Sequence, residues 1–346
     1  MAIRLPVAVL VCDLGDPVEG DVVGGVRVPA QPAPGVYSSV IGPRGENSLL
    51  AVWRDSVHGH FDYRGSRVSP VLRISVPDVI DDAGTPRDRS GNVALWRMSR
   101  VKMLDRAWEA AAATGMDMGA VRAVVVVVRQ GRLSFRRTPV SAFSGGASST
   151  SRGVPGCIVP LGTSYYTAMH EMGHALGFAE HAWGVETASV GWLPQPFHTS
   201  EEYGDPFCAM GRTFDGLDPG PLRGADAHPA WPADLHRSVV PRSSAAMVRR
   251  TYPQALADDD CVLFRSHAWW NEGGGSVRLY AAGDGTPGRT KLIVLEGSGS
   301  HEPSLDGGRG DRLGTYYIEY RPAAGRDRML AGDPAHLRHA CPAVVV

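Results

Sequence analysis

The sequence predicts an α+β protein: a twisted mixed sheet packed against a helix that carries a histidine motif, followed by a small all-β domain. Three observations lead to this prediction. The run VRAVVVVVR at 121–129 is mostly β-branched, which is typical of a strand covered on both faces. Residues 163–177 have helix signals at both ends. Five short strand-like segments alternate with Gly turns at 261–265, 276–280, 291–295, 315–320 and 343–346, which predicts a small antiparallel β-sandwich. A chain of 346 residues favours two domains, which we place at 1–245 and 246–346.

The charges of the chain are almost balanced. Lysine and arginine number 35 against 36 aspartates and glutamates, so no overall field favours nucleic acid or an anionic membrane surface. Hydrophobic residues make up 43% of the chain, enough for a substantial core. No apolar run approaches the roughly 18 residues that a membrane span needs. We therefore expect neither a nucleic-acid nor a membrane partner, and composition sets no oligomeric state.

The first apolar run is LPVAVLVC at 5–12, and Asp13 ends it. A signal peptide would have a longer apolar core and a small-residue cleavage site, so we predict a buried first strand instead. From there to about residue 76 the pattern reads as strands and turns, including a strand at 73–76. Residues 78–92 read as a loop, and residues 243–252 as a short helix.

A core-facing helix is predicted before the strand at 121–129. Ser99 is its predicted N-cap and Gly115 its predicted C′ residue. Apolar residues recur between them at helical spacing: Val101, Leu104, Ala107, Trp108 and Ala111. Because the strand is apolar on both faces, we expect this helix to cover one face and the histidine-bearing helix to cover the other.

The histidine-bearing helix is predicted to begin at Thr163 or Ser164 and to end at Gly177, which adopts the left-handed conformation that reverses the chain. Its predicted buried side consists of Ala168, Met172, Ala175 and Leu176. The loop-rich stretch at 130–162 before this helix has two interpretations. It is either a plain linker or the source of an edge strand that holds an extended peptide.

The residues that carry chemistry are HEMGHALG at 170–177. Residues four apart on a helix lie one above the other, so His170 and His174 present two imidazoles to one point, with Glu171 beside them. Two imidazole ligands and a carboxylate base suit a zinc ion that activates water for attack on a carbonyl. We therefore predict a catalytic Zn²⁺ held by His170 and His174, with Glu171 as the general base.

This motif and a methionine further along the chain resemble the metzincin clan of zinc endopeptidases. The stretch EYGDPFCAMG at 202–211 is similar to the methionine-containing turn of the immune inhibitor A and gametolysin-like families. Further similarities to these families are VWRDSVHGHF at 52–61, and YYIEYR at 316–321 with GRD at 325–327. The resemblance covers most of the chain and is strongest at 170–211.

The resemblance implies an N-terminal subdomain that ends at Gly177, a C-terminal subdomain after it, and Met210 as a hydrophobic floor under the zinc ligands. The third zinc ligand of the clan stands three residues after the glycine. Glu180 occupies that position, as an acidic ligand does in snapalysin-like enzymes, and His181 comes one residue later. Spacing favours Glu180, whereas ligand preference favours His181 if the loop is one residue longer. Tyr203 either approaches the oxyanion or is a structural part of the turn.

The predicted function is that of a zinc-dependent endopeptidase acting on a protein or peptide substrate. Two alternatives stay open: an inactive metzincin scaffold that only binds, and a zinc amidase acting on a non-protein amide. Structural Ca²⁺ is a further candidate at the turns 283–285 and 305–311, whose composition turn chemistry alone also explains. The relatives are mostly exported, yet the chain shows no export signal, so the compartment stays open.

Overall fold

The fold is that of a computed structural model, in which the following residues are described: 2–14, 22–23, 26–27, 34–42, 48–57, 59–75, 99–128, 146–160, 165–179, 184–185, 200–201, 208–210, 248, 251–252, 261–265, 278, 289–296, 316–321 and 343–345. The helices in these ranges are α1 Pro34–Val40, α2 Leu49–Ser56, α3 Arg100–Ala113 and α4 Tyr165–Ala175. The strands are β1 Ile3–Arg4, β2 Val7–Leu14, β3 Val22–Val23, β4 Val26–Arg27, β5 Phe61–Asp62, β6 Arg67–Ile74, β7 Ala123–Val128, β8 Gly146–Ser149, β9 Pro155–Pro160, β10 Gly184–Val185, β11 Ser200–Glu201, β12 Cys261–Arg265, β13 Leu292–Glu296, β14 Tyr316–Arg321 and β15 Ala343–Val345.

A five-stranded mixed sheet is the centre of the N-terminal part, and its strand order is β6-β2-β7-β9-β8. The pairs β2/β6, β2/β7 and β7/β9 are parallel, whereas β8 runs antiparallel to β9. Helices and strands thus combine around a mixed sheet, as the sequence predicts. The predicted first strand is β2, and the predicted β-branched strand is β7, which is buried along its whole length.

Helices cover both faces of this sheet. Val124 and Val126 of β7 pack in a core with α3, and Val125 and Val127 pack in a second core with α1, α2 and α4. Neighbouring residues of a strand point to opposite faces, so one β-branched run serves both cores. The prediction that α3 and the histidine-bearing helix lie on opposite faces is therefore confirmed.

The end signals of α3 are where the sequence predicts them. The side chain of Ser99 accepts a hydrogen bond from the backbone N–H of Lys102, and Gly115 has a φ of +82°. The predicted apolar face is partly wrong, because Val101 is exposed and Met103 is buried. With 3.6 residues per turn, Val101 lies roughly 100° from the centre of the buried face.

The prediction of strands and turns up to residue 76 is wrong at α1 and α2. Proline opens α1 at Pro34, and the Ser48 side chain caps α2 by accepting from the backbone N–H of Ala51. Both helices are short, and tertiary packing stabilises helices of this length more than propensity does. In α2 the residues Leu49, Leu50, Val52 and Trp53 are all fully buried.

A second mixed sheet with the order β12-β13-β14-β15 lies in the C-terminal part. These strands confirm four of the five predicted there, and the fifth, at 276–280, lies outside the described residues except for Arg278. The predicted antiparallel arrangement is wrong for β12 and β13, which pair in parallel. A long connection separates these two strands, and parallel pairing requires one. Leu292 of β13 is fully buried in the core that contains α4.

Candidate metal centre

The candidate metal centre lies on α4, which packs against β8 and β9. The predicted buried side of this helix, from Ala168 to Leu176, is confirmed. After Ala175 the chain makes a Schellman turn. The N–H of Phe178 donates to the Gly173 carbonyl at 3.0 Å, and the N–H of Gly177 donates to the His174 carbonyl at 3.0 Å. Gly177 has a φ of +101°, as the sequence predicts for the helix end.

The two imidazoles are neighbours on one side of α4. Their ring centroids are 4.9 Å apart, and the ring planes are nearly perpendicular, at 83°. His170 is only 7% exposed, while His174 and Glu171 are partly exposed. The arrangement agrees with the four-residue spacing, which brings side chains of successive turns together.

Both histidines are oriented by backbone carbonyl groups. Nδ1 of His170 lies 3.1 Å from the carbonyl oxygen of Ala209, and Nδ1 of His174 lies 2.7 Å from that of Phe178. A carbonyl oxygen can only accept, so each Nδ1 carries the proton and donates it. In a neutral ring with this orientation the lone pair is on Nε2, and neutral imidazole is the form that binds metal ions.

The segment 208–210 lies directly against the helix between the two histidines. A Cβ atom added to Gly173 would lie 2.3 Å from Sδ of Met210 and 2.5 Å from the Trp53 ring, so only glycine leaves room here. Met210 and Cys208 are fully buried. The methionine that the resemblance identified therefore packs against α4, on the segment that supplies the acceptor for His170.

Aromatic side chains surround the end of α4. The indole N–H of Trp53 donates to the Met169 carbonyl at 3.0 Å, and its ring lies 4.8 Å from that of Phe178. The Tyr252 hydroxyl donates to the carbonyl of Leu176. The Tyr252 ring lies 5.5 Å from Phe178 and 5.0 Å from Phe61.

Cys157 is a thiol close to the general-base candidate. It lies on β9 and is fully buried. Burial raises the pKa of the Cys157 thiol well above its ordinary value, and the nearby negative charge of Glu171 raises it further. The thiol therefore stays protonated at neutral pH, which rules it out as a thiolate nucleophile.

The predicted site residues divide into two groups. His170, Glu171, His174 and Met210 are described and lie together. Glu180, His181 and Tyr203 lie outside the described residues, as do the turns proposed for Ca²⁺ at 283–285 and 305–311 and the predicted N-caps of α4. Among the described residues, no cluster of three or more His, Cys, Asp or Glu side chains suited to a metal is present.

Sequence reasoning assigned no role to Trp53 or Tyr252. Their partners are Met169 of α4 and Leu176 just after it, which are 116 and 76 residues away in the chain, so no local pattern marks the contacts. The predicted helix at 243–252 was a partial signal for Tyr252: Val248 and Thr251 are helical, and the Tyr252 N–H donates to the Val248 carbonyl at 2.7 Å.

The donor set fits a zinc ion. Zinc accepts imidazole nitrogen, and metal-binding histidines typically donate the other ring N–H to a carbonyl or carboxylate. Both histidines of α4 meet this requirement with backbone carbonyls.

No protein-family model matches the chain, and a search of curated proteins finds no match. In the described ranges, no helix combines the length and apolarity needed to cross a membrane.

Proposed function

We propose that the chain is a zinc-dependent endopeptidase with a metzincin-like catalytic domain. The observation that carries the proposal is the pair of imidazoles at HExxH spacing, each with its Nδ1–H held by a backbone carbonyl. These two hydrogen bonds leave Nε2 of both adjacent rings as the nitrogen that can bind a metal. The third donor is proposed to be Glu180 or His181, just after the Schellman turn.

Zinc, when bound, would polarise the scissile carbonyl and acidify water. His170 and His174 would hold it through Nε2. Glu171 takes a proton from the water as the new C–O bond forms, and it delivers that proton to the amine nitrogen as the C–N bond breaks. The partial exposure of Glu171 lets water and substrate reach the carboxylate.

The position of β8 in the mixed sheet supports the proposal of a peptide substrate. β8 is at the edge of the sheet, within contact of α4, and among the described strands it pairs only with β9. It belongs to the loop-rich stretch for which we considered an edge strand that holds substrate. An extended peptide beside β8 would gain main-chain hydrogen bonds near the histidines.

Replacing the proposed base tests the function directly. Glu171→Gln keeps the size of the side chain but cannot accept a proton, so we expect zinc binding to persist and peptide cleavage to fall about 10²–10⁴-fold. The assay is a panel of quenched fluorescent peptides, with and without a chelator. Glu109→Gln is the matched control, because Glu109 is an exposed residue of α3 paired with Arg106, and it should leave turnover unchanged.

Three other outcomes have distinct meanings. Unchanged turnover in Glu171→Gln contradicts the proposed role of Glu171 as the general base. Wild-type protein that binds zinc without cleaving any peptide supports the binding scaffold. Cleavage of non-protein amides alone supports the amidase.

A further inference from the structure

We propose that Tyr252 is a positioning residue for the metal centre: its hydroxyl fixes the turn whose carbonyl orients His174. This inference rests on the proposed zinc site and adds a residue to it. Tyr252 lies far from α4 in the sequence and reaches the helix through one hydrogen bond, to the carbonyl of Leu176.

The turn after α4 links the two parts of the proposed site. Leu176 directly follows the last residue of α4, and Phe178 two residues later supplies the carbonyl that accepts from His174 Nδ1 at 2.7 Å. The chain then continues directly to Glu180 and His181. Any change in this turn therefore changes both the direction of the His174 ring and the start of the segment that carries the third donor.

Tyr252 restrains this turn in two ways. Its hydroxyl donates a hydrogen bond to the Leu176 carbonyl, which is one of the terminal acceptors that an α-helix leaves without an internal partner. Its ring packs edge-on against Phe178 and Phe61, so the aromatic cluster holds Phe178 from the side as well. A Cβ atom on Gly177 would come within 2.6 Å of the Tyr252 hydroxyl oxygen, which shows how closely the phenol covers the turn.

The Tyr252 hydroxyl must be protonated to donate this hydrogen bond. Burial raises the pKa of Tyr252 to about 12, so the group stays protonated at neutral pH and remains a donor. Tyr63 provides a contrast in the same aromatic cluster, 5.9 Å from Phe61. Its buried hydroxyl has no hydrogen-bond partner among the described residues.

The test compares two single-atom deletions. Tyr252→Phe removes the hydroxyl that holds the turn, and we expect zinc affinity, measured by competition with a chromophoric chelator, to fall about tenfold. Tyr63→Phe removes a buried hydroxyl that has no hydrogen-bond partner among the described residues, and zinc affinity should be unchanged. The absorption spectrum of bound Co²⁺ is a second readout, expected to change in Tyr252→Phe alone because it reports on ligand geometry.

A glycine pair tests the same turn if Tyr252→Phe does not fold. Gly177→Ala and Gly115→Ala both place a side chain at positive φ, but only Gly177 touches Tyr252. We expect only Gly177→Ala to weaken zinc binding. Wild-type zinc affinity in Tyr252→Phe, or in a folded Gly177→Ala, overturns the inference and leaves the proposed function intact. Wild-type protein that binds no zinc contradicts the proposed function itself.

Discussion

At the scale of single residues, the proposed zinc binding depends on which ring nitrogen of each histidine carries the proton. The sequence predicts the identity and spacing of His170 and His174, since helical periodicity alone brings them together. The two carbonyls that select the tautomer, from Ala209 and Phe178, were not predictable. A backbone acceptor has no residue-type signature, so only the folded chain reveals it.

Gly173 shows how tightly the site is packed. Its neighbours are Met210 and Trp53, and a methyl group there would overlap both. We expect Gly173→Ala to lower the free energy of unfolding by about 1–3 kcal/mol, the usual cost of overpacking, and to weaken zinc binding as Met210 is displaced. Urea denaturation of the metal-free protein and a zinc titration measure the two effects.

Gly35 is the control for this substitution. It lies in α1, and an added Cβ atom there would meet nothing within 4 Å. Gly35→Ala should be neutral or slightly stabilising, because alanine favours helix. Equal stability of Gly173→Ala and wild type would show that the contact between Gly173 and Met210 is absent.

At the scale of elements, the sequence predicted the features that depend on residues close together in the chain. Capping chemistry predicts the two ends of α3 at Ser99 and Gly115 and the end of α4 at Gly177. The β-branched side chains predict the buried strand β7. α2 was missed although Ser48 is a good N-cap, because eight residues rich in apolar side chains read equally well as a strand. The parallel pairing of β12 with β13 depends on contacts distant in sequence.

α2 nevertheless contacts α4 directly, through the Trp53 side chain. Trp53→Phe removes the donor to the Met169 carbonyl and part of the ring that packs on Phe178. We expect it to cost about 1–3 kcal/mol of unfolding free energy and to lower zinc affinity. The measurements are chemical denaturation without metal and chelator competition.

Trp108→Phe is the matched control, since Trp108 packs in the other core, with the Arg152 guanidinium over its ring. It should leave zinc affinity unchanged. Equal loss of zinc affinity in the two variants would mean that α2 has no particular role in the site.

At the scale of the whole molecule, one residue of the C-terminal sheet joins the core on the α4 side of the N-terminal sheet. Leu292 at the start of β13 is buried in the cluster that contains α4, so the C-terminal sheet contributes to the packing around α4. The sequence predicted the strands of that sheet from their turns and β-branched residues but not this contact. A residue that packs across a long separation has no neighbour in the sequence to indicate its partner.

The central claim is that the two histidines of α4 bind zinc together. X-ray absorption of zinc-loaded wild-type protein tests it most directly, with a protein carrying His170→Ala and His174→Ala as the reference. We predict one zinc ion per chain in the wild type, with at least two imidazole nitrogens at about 2.0–2.1 Å, and none in the double variant. Wild-type protein that retains no zinc after refolding with excess metal, or equal zinc in both proteins, would contradict the account.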